Sequence, residues 1–205
     1  MSVRIILASA SPRRAQLLRD AGVAFSVQVS EVDETLEPDL LAQPAEACKK
    51  LAERKAGAVV QEVLSDVSFV GEVAVLGSDT MVVLDDRIFG KPESRDHAHQ
   101  MLSELSGRTH QVMTSASLWM VSANEEGQVS LGFRTFVDTT QVTFKQLADE
   151  TIQRYLDTGE SADKAGAYAI QGKGQALVQD IDGAWDTVVG LPVQRLLEEF
   201  PFLTE

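Results

Sequence analysis

Ile5-Ile6-Leu7-Ala8-Ser9-Ala10-Ser11-Pro12-Arg13-Arg14-Ala15-Gln16-Leu17-Leu18 is the stretch around which the rest of the chain can be read. Ile5 to Ala8 is a short apolar run of the kind that forms a buried strand. Ser11 followed by Pro12 signals a helix start: serine caps free N–H groups, and proline has no N–H to lose at the first helical position. Leu17 and Leu18 then fall on the inner face of that helix. Strand, corner, helix N-terminus and two arginines together make an anion site. Free N–H groups and the helix dipole favour negative charge there, and arginine holds phosphate oxygens in a bidentate fork. The same residues also read as a capped helix with its arginines in solvent, and this stretch by itself leaves both readings open.

The chain has 205 residues, 44% hydrophobic and 24% charged, which suits one domain or two small lobes over residues 1–205, with a sizeable core and no separable linker. The net charge of −13 argues against sequence-independent binding to nucleic acid, which needs a basic surface. A local cluster of cations can still hold a small anion. An acidic protein that binds phosphate often recruits a divalent cation for its carboxylates. Cys48 is the only cysteine, so no intrachain disulfide forms, which fits a reducing compartment; it reads as a small buried hydrophobe. The N-terminus enters a strand with no basic-then-apolar leader, and no run approaches the ~18 apolar residues of a membrane span. A cytoplasmic location without membrane association is expected.

Further along, Phe25–Val29 alternates as a strand, and an acidic loop follows at Glu31–Thr35. Pro44 opens a long helix to about Leu64. Val73–Leu84 reads as a strand pair or one long bent strand, interrupted at Gly77-Ser78-Asp79-Thr80, with a turn at Asp85-Asp86. Arg95–Leu105 is an amphipathic helix. His110–Val121 and Phe133–Phe144 make a long hairpin. Asp149–Asp157 reads as a helix, Gln175–Ile181 as a strand and Pro192–Phe200 as a closing helix. Strands interleaved with helices mean α/β, and the hairpin makes the central sheet mixed, flanked by helices.

Several polar residues break this pattern. Asp79 sits in an otherwise apolar run, where a carboxylate is costly unless it is paired or binds metal; a bulge at Gly77 that lets it reach water is the other reading. Glu34, with Glu31 and Asp33, supplies carboxylates from a separate loop, and two such groups can hold a divalent ion beside a triphosphate. Lys55 falls on the apolar-facing side of its helix, Lys91 is caught between Gly90 and Pro92, and Lys164 lies among small residues. Gly90-Lys91-Pro92 is not a phosphate loop of the Walker type. His97, His99 and His110 lack metal-ligand spacing, and the serines lack a nucleophile-elbow frame.

Taken together these residues resemble the Maf family of nucleotide pyrophosphatases. The motifs that carry the likeness run in order over nearly the whole chain: Leu7 to Arg14, Val32-Asp33-Glu34, Gly77 to Thr80, Gly90-Lys91-Pro92, Ser106-Gly107 with His110 to Thr114, Asp163 to Gly172, and Val188 to Pro192. The resemblance implies two lobes around a nucleotide-binding cleft, often a dimer, and hydrolysis of nucleoside triphosphates to monophosphate and pyrophosphate with a divalent metal such as Mg²⁺, Mn²⁺ or Co²⁺. It makes Glu34 and Asp79 the metal-holding acidic pair, with Asp79 as base. It makes Ser9, Arg13, Arg14, Lys55, Lys91 and Lys164 the phosphate-side groups.

Within the family, Arg13, Thr80 and Gln171 resemble the subgroup that prefers dTTP and UTP. The subgroup that prefers 7-methyl-GTP tends to carry Trp, Gln and Glu there, which suit a positively charged base. Gln171 can both donate to and accept from a neutral pyrimidine edge. Gly183-Ala184-Trp185-Asp186-Thr187 departs from the family's usual Tyr and Asn. A 7-methyl-GTP pyrophosphatase and a nucleotide-binding regulator of cell division are the rival readings.

Overall fold

The apolar, β-branched content of residues 71–84, 109–123 and 129–144 builds three long strands, and the remaining elements attach to them. The computed structural model describes residues 3–29 and 31–204. In chain order its elements are β1 (Arg4–Leu7), α1 (Pro12–Asp20), β2 (Ser26–Val27), α2 (Pro38–Leu41), α3 (Pro44–Ser65), β3 (Gly71–Leu84), β4 (Arg87–Phe89), α4 (Arg95–Leu105), β5 (Thr109–Ala123), β6 (Val129–Phe144), α5 (Asp149–Leu156), β7 (Val178–Asp182), α6 (Trp185–Val189) and α7 (Val193–Glu199). Short 3₁₀ turns cover Ala165–Ala167, Lys173–Leu177 and Pro201–Thr204. The sheet order is β2-β1-β3-β5-β6-β7, with β4 also on β3. β1 is parallel to both β2 and β3, while the other pairings are antiparallel, so the α/β fold has a mixed sheet.

β3 is a single continuous strand, not a pair, because β5 pairs with it without a break from Gly71 to Val83. Its other edge is divided. β1 takes Val73–Leu76 and β4 takes Val82–Leu84, which leaves residues 77–81 with no strand partner on that edge among the described residues. Side chains alternate across a strand. Val73 and Val75 therefore pack under α3 with Val59, Val60 and Val63, whereas Ala74 and Leu76 face Ala15, Leu18 and Leu196. Beyond the gap, Val82 and Leu84 enter a second core with Phe89, Met101, Leu102, Phe144, Ile152 and Leu156. The polar run Gly77–Thr80 thus lies where one core ends and the next begins, on an open edge.

Local signals explain the helix bounds. Ser11 accepts from the Arg14 N–H at 3.4 Å and Pro12 opens α1; Ser94 accepts from the His97 N–H at 3.1 Å and caps α4. Several strand bounds differ from the sequence reading, and the hairpin's second strand begins at Val129 rather than Phe133. The strand read over Phe25–Val29 contracts to Ser26–Val27, both exposed. The strand read from Gln175 begins at Val178, because Lys173–Leu177 turns as 3₁₀ first. Asp85 and Asp86 form the turn with φ of 51° and 61°, a left-handed conformation that aspartate tolerates, and β4 follows at once.

Candidate active site

Where β1 ends, the Ala8 N–H donates to the Leu76 carbonyl at 2.8 Å, and the chain then leaves β3 for the corner. Ser9 is buried, and its Oγ accepts from the Ser11 N–H at 3.3 Å and from Arg14 Nη1 at 3.1 Å. Arg14 folds back from α1 towards β3. Its Nε donates to the Gly190 carbonyl at 2.7 Å and its Nη2 to Thr80 Oγ1 at 3.1 Å, which leaves N–H donors over. Burial lowers the pKa of this guanidinium, and the charge of Asp79 opposes that shift. Arg13, one residue earlier, is only half-buried, and its side chain makes no hydrogen bond among the described residues.

Strand alternation sends Asp79 to the opposite face of β3 from Thr80, towards α3. There Lys55 Nζ lies 2.5 Å from Asp79 Oδ1 and 2.8 Å from Glu34 Oε1. The three side chains grade from buried to open: Asp79 is 10% exposed, Lys55 16% and Glu34 49%. Burial raises the Asp79 pKa above the ordinary carboxylate value, although Lys55 and Arg14 pull it down. Glu34 ends below its ordinary value: burial pushes it up, but the hydrogen bond and charge of Lys55, backed by Lys91 and Arg14, outweigh that. α3 approaches β3 closely because Gly77 has no side chain; a Cβ there would lie 2.3 Å from the Ala52 carbonyl oxygen. Cys48 is buried as expected, with Sγ 3.4 Å from the Asp79 carbonyl and its thiol pushed up to about 12 by burial.

Among the described residues, no group of three or more His, Cys, Asp and Glu side chains is placed to hold a metal ion. Glu34 and Asp79 nevertheless converge on one positive centre, the Lys55 ammonium. Such a pair fits a hard divalent cation that takes its remaining ligands from phosphates and water.

The remaining expected residues lie on neighbouring turns. Lys91 is exposed, and its field reaches Glu34. Lys164 is half-buried and pairs with Asp163. The Gly166 N–H donates to the Gly90 carbonyl at 3.1 Å, which clips the two lysine-bearing turns together. Gln171 is exposed at a turn held by Glu160, whose carboxylate accepts from the Lys173 and Gly174 N–H groups. The structure therefore joins Ser9, Arg14 and Thr80 on one face of β3, and Glu34, Lys55 and Asp79 on the other. Among the described residues, no hydrogen bond or ion pair ties Arg13, Lys91, Lys164 or Gln171 to either set.

Sequence reading passed over several partners. Gly190, with φ of 127°, presents its carbonyl to both Arg14 Nε and Ser78 Oγ. Thr114 Oγ1 donates to the Thr187 carbonyl at 2.7 Å, so in its 3.0 Å contact with Thr80 Oγ1 it is the acceptor. A directed chain runs from Arg14 through Thr80 and Thr114 to the Thr187 carbonyl in α6. Gly190 and Thr114 lie in quoted motifs, which is the signal that could have marked them. Chemically, the open edge combines cations able to hold a polyphosphate with a carboxylate whose raised pKa suits a general base.

The family model described as Maf-like protein matches residues 4–201. The dTTP/UTP pyrophosphatase of Bacillus velezensis is 45% identical over 203 residues, covering 98% of each chain. The dTTP/UTP pyrophosphatase of Desulforamulus reducens is 43% identical over 194 residues, 95% of this chain and 93% of the relative. A solved nucleoside-triphosphatase (dITP/XTP pyrophosphatase) from Mycobacterium abscessus overlays with a TM-score of 0.41 and 12% identity, covering 97% of this chain and 94% of that one, too loose a likeness to bear on the site. On the span of the family model and on identity to these relatives over nearly the full length, the chain belongs to the Maf family.

Proposed function

We propose that the protein is a nucleoside triphosphate pyrophosphatase that hydrolyses dTTP and UTP to the monophosphate and pyrophosphate, clearing unwanted pyrimidine nucleotides. The observation that carries this reading is the pairing of Asp79, a buried carboxylate of raised pKa, with Lys55 and Glu34 at an open strand edge whose other face holds Arg14 and Ser9. Asp79 Oδ1 is engaged by Lys55, and among the described residues Oδ2 has no hydrogen-bond partner. Oδ2 is the atom that takes the proton from water as water attacks the α-phosphorus. The bond between that phosphorus and the bridging oxygen to the β-phosphorus breaks, and the oxygen leaves with pyrophosphate. Glu34 and Asp79 would hold a divalent cation, which when bound supplies Lewis-acid neutralisation of phosphate oxygens. Arg13, Arg14, Lys55, Lys91 and Lys164 bind phosphate charge, and Ser9 fixes the Arg14 fork. Arg13, Thr80 and Gln171 favour a neutral pyrimidine; Thr80 acts through its bonds to Arg14 and Thr114.

A panel of dTTP, UTP, 7-methyl-GTP and the common triphosphates, scored for pyrophosphate release with Mg²⁺, Mn²⁺ and Co²⁺, tests this. Preferred turnover of dTTP and UTP is expected. A clear preference for 7-methyl-GTP overturns the pyrimidine assignment. Nucleotide binding with no pyrophosphate release under any of the metals overturns the enzyme in favour of a sensor.

A further inference from the structure

Glu34 stands on a connection, residues 28–37, that has no helix or strand of its own among the described residues. Two neighbouring residues of α3 hold it, and they do so differently. Lys55 takes the Glu34 side chain at 2.8 Å. Arg54 takes the backbone on both sides of it: Nη1 donates to the Thr35 carbonyl at 2.6 Å and to the Asp33 carbonyl at 3.2 Å. Asp33 Oδ1 accepts from the Thr35 N–H at 2.8 Å, so the tripeptide is a closed Asx turn with Glu34 at its middle. Behind the turn the loop stands off from α3 across a concavity of about 430 Å³, bordered by Val32, Gly57, Ala58 and Gln61. Packing does not fill that space; Arg54 spans it.

We infer that Arg54 is a positioning residue that keeps Glu34 aimed at the cleft when Lys55 is drawn to substrate phosphate. This rests on the pyrophosphatase reading. The Lys55–Glu34 tie depends on charge, and it loosens once the ammonium has a phosphate to bind. The Arg54 tie is to main-chain carbonyls, whose acceptor strength does not depend on what occupies the cleft. Arg54 therefore holds the turn through turnover, and Glu34 keeps its place beside Asp79 without searching the concavity behind it.

The test compares Arg54→Met, which keeps the aliphatic stem, and Arg54→Lys, which keeps a donor, with the unmodified protein. Amide hydrogen exchange over residues 31–37 is followed without nucleotide, alongside kcat, nucleotide KM and the Mg²⁺ concentration for half activity. Losing hydrogen bonds from a charged donor loosens the turn and speeds exchange of the Thr35 amide, the N–H that donates to Asp33 Oδ1, by about tenfold. Exchange in β1, β3 and the β5–β6 hairpin stays as it was. In Arg54→Met, kcat is expected to fall about tenfold and the Mg²⁺ requirement to rise several-fold, while nucleotide KM changes less than twofold; Arg54→Lys recovers part of both. Unchanged exchange over 31–37 in Arg54→Met overturns the tether. Faster exchange with unchanged kcat and Mg²⁺ requirement overturns the positioning role. If the unmodified protein releases no pyrophosphate from any nucleotide, the functional reading fails, and the exchange result still decides the tether.

Discussion

Two polar clusters, one at the gap in β3 and one in the core beyond it, are built on opposite terms. The cluster at the gap is charged: Asp79, Lys55 and Arg14 are withdrawn from water and each is held by another charge or by a fixed dipole. The cluster in the second core is neutral. His110 Nε2 lies 2.8 Å from the Tyr168 hydroxyl, the ring packs edge-on against Phe144 and Tyr168, and Tyr155 Oη accepts from the Ala169 N–H at 3.0 Å. Burial pushes the Tyr155 phenol up to about 12 and Tyr168 further still, and it pulls His110 down to about 4. Among the described residues His110 Nδ1 has no partner, so the tautomer with the proton on Nε2, donated to Tyr168, leaves only a lone pair unpaired. Charge is kept where a charged ligand can enter beside an open edge. Neutral pairs are used where two motifs, at His110 and Tyr168, have only to be pinned together.

The largest expected effect removes charge from the first cluster. Asp79→Asn keeps the fold and lowers pyrophosphate release by about 10²–10⁴-fold, the range for loss of a general base. Near-normal turnover of dTTP with an unchanged unfolding curve would take Asp79 out of the chemistry. Next is Gly77→Ala, which forces α3 away from β3 because its Cβ would lie 2.3 Å from the Ala52 oxygen. A loss of about 3 kcal/mol in urea unfolding is expected, with activity falling as Lys55 moves from Asp79.

The neutral cluster is broken by acid. The His110 pKa is 6.5 unfolded and about 4 folded, so the unfolded chain binds the proton more readily between these values. The stability is complete above pH 6.5 and is lost as pH falls towards 4, by about 3 kcal/mol in total. Thermal unfolding across that window measures it, and His110→Phe should flatten this part of the profile; an unchanged slope would assign the acid sensitivity elsewhere. The smallest effect is at the rim. Arg13→Trp is expected to move the ratio of dTTP to 7-methyl-GTP turnover by about tenfold towards the methylated purine, through stacking on its charged ring. An equal loss for every nucleotide would make Arg13 a phosphate group only.

Much of this architecture was legible where the rule is local. Ser11-Pro12 marks a helix start because capping needs only the next turn of chain, and the long hairpin follows from the β-like runs at 110–121 and 133–144, which the structure extends to 109–123 and 129–144. The elements that escaped are short. α2, α6 and β4 are too brief for a hydrophobic period to develop. Trp185–Val189 carries part of the Val188–Pro192 motif, yet no helix is read there from the sequence. The site residues were legible as types in motifs, and the sequence reading set Arg13 apart at the base-selective position from Arg14 on the phosphate side; the contacts each residue makes were not legible. Arg13 and Arg14 are neighbours with the same side chain, yet only Arg14 folds back to the Gly190 carbonyl.

The sequence by itself determined the α/β class, the family, and the set of carboxylates and cations available to a nucleotide. These follow from residue identity, period and motif order, all of which exist before folding. Tertiary structure alone decided how that set is wired. Lys55 meets Asp79 across 24 residues of chain, and Arg14 meets Gly190 across 176. Strand parity places Asp79 and Thr80 on opposite faces of β3, but which helix covers each face depends on how the sheet and its two cores assemble. Arg54 reads as an ordinary helix-surface residue, and it became a clasp for Glu34 only when an irregular loop came to lie beside α3. Contacts of this kind depend on register and on the route of the chain between elements, which no local pattern of residues specifies.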